Sequence, residues 1–136
     1  MTVCVLDACA LIALLRNENG CEVVRSLLVD DDARCVIHAV NLCEVYYDCL
    51  RSYGAPQAEQ MLADLSACGL LLREDMDTGF WKKAGQLKAR GRISLADAFA
   101  VTLAEREEAI LVTSDHHEFD PLLAAGELPV QVRFIR

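Results

Sequence analysis

The stretch Ile93–Phe119, ISLADAFAVTLAEREEAILVTSDHHEF, leaves a chain of this kind the least choice of fold. From Leu95 to Ala104 it is long enough for a helix and apolar on nearly every face, with only Asp97 and Thr102 polar, so the helix has to be covered on all sides. A carboxylate placed there is costly. Ser94 fits the N-cap, which puts Asp97 at the third helical position, where free N–H groups and the positive end of the helix dipole favour a negative charge. No Lys or Arg lies between Ile93 and Glu105 to neutralise it. Ala109–Thr113 then reads as a short buried strand with Ser114 and Asp115 at its carboxyl end, the edge where ligands bind in open parallel α/β sheets. Each aspartate also has a purely structural reading: Asp97 completes a capping box begun by Ser94, and Asp115 caps the turn after the strand.

The remainder alternates strands with helices. Thr2–Leu6 (TVCVL) is β-branched and ends in Asp7, and ACALIALLR begins a buried helix, so Asp7 occupies the same kind of corner as Asp115. Cys21–Val29 repeats Val23, Val24, Leu27 and Leu28 at helical spacing, and Asp30-Asp31-Asp32 reads as a solvated turn. A second strand covers Arg34–Ile37. The helix that follows runs from Ala39 to Tyr53, ends at Gly54 and carries a polar stripe of Asn41, Glu44, Asp48 and Arg51 opposite Val40, Cys43, Tyr47 and Leu50. Pro56 starts another helix with Ala58, Met61, Leu62 and Leu65 inward; Leu70–Leu72 is a third strand. Thr78–Ala89 is expected to turn Phe80, Trp81, Ala84 and Leu87 inward, and Val130–Ile135 is a last strand. The expected architecture is α/β: a three-layer α/β/α sandwich with a mostly parallel central sheet of about five strands, as one domain over residues 1–136. If strands 2–6 and 109–113 are neighbours, Asp7 and Asp115 face each other across a crevice into which the Asp97 helix points its amino end.

Charge and cysteine usage narrow the function. A net charge of −8 argues against a general nucleic-acid coat protein, yet Lys82, Lys83, Lys88, Arg90 and Arg92 put five of the 13 basic residues into one stretch. Such a strip can bind a nucleic-acid backbone locally or an acidic protein surface; a solvated helix face is the plainer alternative. The seven cysteines include no C-x-x-C pair and mostly fall in apolar patterns, so they read as reduced core residues. No run of 18 apolar residues and no charged leader with a cleavage site appear, which points to a cytoplasmic protein without a membrane span.

Carboxylates gathered at one sheet edge repel: two like charges about 4 Å apart cost on the order of 4 kcal/mol at an effective dielectric of about 20. Protonation or a hard divalent cation relieves this, and an oxygen-rich site suits Mg²⁺ or Mn²⁺. Metal-dependent phosphodiester hydrolysis is a natural chemistry for such a cluster.

Four motifs, in order along the chain, carry a family resemblance: VLDACALIALLRNE, AVNLCEVYYDCL, SLADAFAVTLAERE and ILVTSDHHEF. They resemble the motifs of PIN-domain ribonucleases, specifically the VapC toxins of bacterial toxin–antitoxin pairs. The resemblance implies that Asp7, Glu44, Asp97 and Asp115 are the acidic catalytic residues. Asp7 and Asp97 would hold the metal directly, Asp115 would complete or orient the site, and Glu44 would orient water or act as base. Thr113, Glu118 and Asn41 would support them. It further implies RNA cleavage to a 5′-phosphate and a 3′-hydroxyl without a covalent intermediate, a homodimer, and inhibition by a cognate antitoxin that inserts an Arg into the acidic groove. Cys9 stands where the family usually carries Ser, Thr or Asn, and His38 where Ser is common, so a hydroxyl contact to substrate or metal shell is missing at each.

Two rival readings use other chemistry. A receiver-like or phosphatase-like domain would phosphorylate the Asp ending the first strand, but the second Asp that phosphatases place two residues on is here Cys9, and a late Lys after a strand is not evident. A non-catalytic module would keep the acidic groove for a protein partner. His116-His117 raises a transition-metal site, against which stands the ordinary reading of two histidines in a surface turn.

Overall fold

Inner strands that are apolar on both faces need a cover on each. The computed structural model, which describes residues 1–136, supplies two. Along the chain run β1 (Thr2–Leu6), α1 (Ala8–Leu15), α2 (Cys21–Val29), β2 (Ala33–His38), α3 (Ala39–Tyr53), α4 (Ala55–Ala67), β3 (Leu71–Arg73), α5 (Thr78–Arg90), α6 (Leu95–Arg106), β4 (Ile110–Thr113), α7 (His116–Ala124) and β5 (Val132–Phe134). The five strands make one sheet in the order β3-β2-β1-β4-β5, parallel throughout. Alternation along the strands divides their side chains between two cores. Val5, Val36 and Leu111 turn to a core completed by Phe80, Leu87, Phe99, Leu103 and Phe119 from α5, α6 and α7. Cys4, Leu6, Cys35, Ile37 and Val112 turn to the other, built with Leu11, Val24, Met61 and Leu65 from α1, α2 and α4. The predicted three-layer α/β/α sandwich is the observed one. Every residue from Asp97 to Ala104 is buried, as its uninterrupted apolar surface requires; each large side chain so covered is worth about 1.5–3 kcal/mol.

Several local expectations change in the folded chain. The polar stripe of α3 turns inward at its amino end, where Asn41 is buried and Glu44 half-buried, while Arg51 at its far end is exposed, as are Cys43, Tyr47 and Leu50. The helix crosses the carboxyl edge of the sheet, where inward-facing polar groups have partners, so helical periodicity identified the stripe and not its direction. Trp81 is 47% exposed while its neighbour Phe80 is fully buried; only one of two adjacent helical residues can point at the same core. His116-His117 begins α7 rather than a turn, and Pro121 lies within that helix. All seven cysteines are free, but only Cys4, Cys21 and Cys35 are buried, and Cys43 and Cys68 are exposed. No helix is long and apolar enough to cross a membrane.

Gly20, the N-cap of α2, has φ +90°, and a Cβ there would sit 2.5 Å from the Ile135 carbonyl oxygen. Gly69 has φ +88° with nothing within 4 Å. Gly20→Ala is therefore expected to lose more than about 2 kcal/mol in denaturant unfolding, combining left-handed strain with a backbone clash, whereas Gly69→Ala loses only the strain, about 1–2 kcal/mol. Equal losses would show that the backbone at Ile135 does not crowd Gly20.

Candidate metal centre

The strand order fixes where a crevice forms. From β1 the chain builds outward to β2 and β3, then returns to the other side of β1 with β4, so the winding reverses between β1 and β4 and the connections leaving them part. Asp7 directly follows β1 and Asp115 lies just beyond β4. Asp7 caps α1: Ala10 N–H donates to its Oδ1 at 2.9 Å, and the Thr113 hydroxyl donates to its Oδ2. Thr113 Oγ1 accepts the Asp115 N–H at 3.0 Å, and Asp115 caps α7 by accepting the Glu118 N–H at 3.0 Å. Both Glu118 carboxylate oxygens accept the Ser94 N–H, at 3.0 and 3.1 Å, and Ser94 Oγ accepts the Asp97 N–H at 3.1 Å as the cap of α6. One hydrogen-bonded chain thus runs from Asp7 through Thr113, Asp115, Glu118 and Ser94 to Asp97. It joins the amino ends of α1, α7 and α6, whose free N–H groups and dipoles favour negative charge.

Of the acids expected to hold a metal, Asp97 and Asp115 come together, and their third member is Glu118 rather than Asp7. Asp97, Asp115 and Glu118 can each present a carboxylate oxygen such that all lie within 4.8 Å of one another. Asp7 is completely buried beside them. Burial pushes its carboxyl up to about 7, with the charges of Asp115 and Glu44 adding to the shift against the hydrogen bonds of Thr113 and Ala10. Asp97 is raised well above the usual carboxylate range, first by burial, then by its hydrogen bond to Glu118 and the charge of Asp7. Glu44, reaching in from α3, is raised by burial and by Glu118. None of these acids forms an ion pair with a Lys or Arg. An all-oxygen donor set with no organic counter-charge fits a hard divalent cation such as Mg²⁺ or Mn²⁺.

Asn41 is buried on α3 with its Nδ2 donating to the Ala96 carbonyl at 3.2 Å, which ties α3 to the first turn of α6; its Oδ1 has no donor. Cys9 lies against the acids, and burial together with Asp7, Asp115, Asp97 and Glu44 lifts its thiol to about 12, so it stays protonated. His38 needs no hydroxyl replacement: its Nδ1 accepts the Val40 N–H as the cap of α3, its Nε2 donates to the Asp75 carbonyl, and its ring packs against Phe80 and Phe99, which also touch each other. His116 is not available as a metal ligand, since Asp120 and the Arg136 carbonyl engage its two nitrogens and Phe134 stacks on it at 3.8 Å. Of the basic strip, Lys83 pairs with Glu105, Lys82 lies over Trp81 and Lys88 donates to the Ile93 carbonyl; Arg90 and Arg92 are exposed. The Ser94–Glu118 link was not foreseen, and no local spacing signals a bond between residues 24 apart.

The chain matches the PIN domain family over residues 4–121. No curated protein matches it. Among solved structures it is similar to the DNA-bound VapBC of Salmonella typhimurium, with TM-score 0.74, 17% identity and 100% of each chain covered. It is also similar to VapBC-1 of nontypeable Haemophilus influenzae, with TM-score 0.72, 19% identity and 98% of each chain covered. A sarcin-ricin loop cleaving VapC toxin of Mycobacterium tuberculosis matches with TM-score 0.70 and 13% identity over 87% of this chain and 94% of that one. At these identities the likeness is one of fold.

The raised carboxyls set the sign of a pH effect. Groups that hold their protons more tightly when folded stabilise the fold fully below the unfolded carboxylate range, and that contribution is lost as pH rises through the folded values, for Asp7 through about 7. In chelator, melting temperature is expected to fall between pH 5 and pH 8, with a flatter profile for Asp97→Asn, and Mg²⁺ is expected to raise it more at pH 8 than at pH 5. A wild-type profile that rises with pH, or no difference between the two proteins, would show that the acids are not buried together.

Proposed function

The chain belongs to the PIN domain family, and on that premise we propose that it is a metal-dependent endoribonuclease, the toxin of a VapBC-type toxin–antitoxin pair. The observation that carries this reading is the meeting of Asp97, Asp115 and Glu118 within 4.8 Å, beside buried Asp7, at the point where the sheet's winding reverses. Asp7, Asp97 and Asp115 would hold Mg²⁺ or Mn²⁺, with Glu118 adding a carboxylate. When bound, the ion polarises the scissile phosphodiester and acidifies the attacking water.

The chain's own groups perform the rest. Three helix amino ends facing the crevice favour an anionic phosphate, and their caps keep Asp7, Asp97 and Asp115 from swinging away. Glu44 is half-buried and its carboxyl is raised by burial and by Glu118, which suits it to accept the proton of the attacking water. Asn41 holds α3, and with it Glu44, against the start of α6. Cleavage leaves a 5′-phosphate and a 3′-hydroxyl. The partners are an RNA substrate, a second copy of the chain and a cognate antitoxin; the similar solved structures from Salmonella and Haemophilus are VapBC assemblies. An arginine from the antitoxin matches the acids in charge and in its forked geometry. The site of action is the cytoplasm.

RNA cleavage is expected to require added Mg²⁺ or Mn²⁺ and to stop in EDTA. Asp7→Asn and Asp97→Asn are each expected to lower kcat by at least ~100-fold, since the interaction removed is worth several kcal/mol, and to abolish the heat of Mn²⁺ binding in calorimetry. Cleavage that persists in both variants overturns the assignment, and a folded wild type that binds metal but cuts no RNA marks a non-catalytic binding module.

A further inference from the structure

The function proposed above leaves unexplained how a chain with net charge −8 seats a polyanion. We propose that the cleft walled by Arg90, Arg92 and His117, which shares Glu118 with the acidic centre, seats the RNA backbone flanking the scissile phosphate; this rests on the ribonuclease reading. The cleft has a volume of about 610 Å³, and only two of its nine lining residues are hydrophobic. That lining suits a solvated, charged strand better than an apolar side chain.

The five basic residues that look equivalent in sequence are not equivalent in space. Lys83 pairs with Glu105 at 3.3 Å, Lys88 donates to the Ile93 carbonyl at 2.9 Å, Lys82 lies over the Trp81 ring, and none of the three lines the cleft. Arg90 and Arg92 are exposed, with neither an ion pair nor a side-chain hydrogen bond within the chain, and both line the cleft. The backbone between them packs closely: a Cβ on Gly91 would come within 2.9 Å of Leu122 Cδ2, so the segment joining α5 to α6 lies tight against α7. Two guanidinium forks on one wall match phosphate oxygens in shape and charge.

An acidic peptide would meet the same arginines but would bring further carboxylates toward Glu118, Asp97 and Asp115. A nucleic-acid strand instead places successive phosphates at both the arginines and the metal-binding acids. Glu127, on the same cleft, opposes the arginines and limits the grip on phosphate.

The test begins by mapping a cut site in total RNA and building a fluorogenic oligonucleotide around it. The double variant Arg90→Ala/Arg92→Ala is expected to raise KM on the order of tenfold with kcat within about twofold, and to make log(kcat/KM) less steep against log salt by about 1.4, as loss of two phosphate contacts to a single strand requires. Glu127→Gln is expected to lower KM, and Arg25→Ala on α2 to leave it unchanged. Unchanged KM in the double variant while wild type cleaves overturns the cleft assignment and leaves the ribonuclease reading standing. Unchanged KM together with lost binding of poly-glutamate assigns the cleft to an acidic protein and overturns it equally. A wild type that cuts no RNA removes the function proposed above, and this inference with it.

Discussion

The repulsion between buried carboxylates is the constraint that the rest of this structure accommodates. Asp7 and Asp97 are enclosed by a core that offers no lysine or arginine, and both respond by holding protons more tightly than a carboxylate in water. The fold tolerates them because each backbone connection into the crevice is a helix amino end whose cap is an acid of the cluster or the serine that binds one. The hydrogen bonds that cap the helices are thus also the bonds that aim the carboxylates. A stable scaffold and a close-set cluster of carboxyls are built from the same atoms, and a cation entering the crevice would relieve a tension already present.

Topology concentrates this tension at one place. A fully parallel sheet sends every strand's carboxyl end to the same edge, and the reversal of winding between β1 and β4 opens that edge only there. Everything needed then arrives from different parts of the chain: Asp7 from β1, Glu44 from α3, Asp97 from α6, Asp115 and Glu118 from the start of α7. The Thr113 hydroxyl, which donates to Asp7 and accepts from the Asp115 backbone, fastens the two sides of the crevice together. A polar residue at the last position of an inner strand would otherwise be an unexplained cost.

Much of this was legible in the linear chain, and the parts that were not share a cause. The strand and helix alternation, the Ser94 cap and the burial of the Asp97 helix follow from periodicity and local capping chemistry, which depend on residues within four positions of one another. The direction of the α3 stripe could not be read that way. Asn41 and Glu44 turn inward only because α3 lies across the sheet edge, where α6 and the acids provide polar company. Of the adjacent Phe80 and Trp81, both expected inward, only Phe80 is buried. The helix after Asp115 accommodates Pro121 within it, which local breaker rules do not anticipate.

By itself the sequence determined an α/β sandwich with acids at strand ends, because hydrophobic period and cap residues are properties of short segments. Only the tertiary structure decided that Glu118 reaches back to Ser94, that Cys9 sits against the acids with its proton retained, and that of five clustered basic residues only Arg90 and Arg92 stand on the cleft beside the acids, free of protein partners. Those outcomes depend on which distant segments the sheet order makes neighbours, and distances between segments are set by packing, not by spacing along the chain.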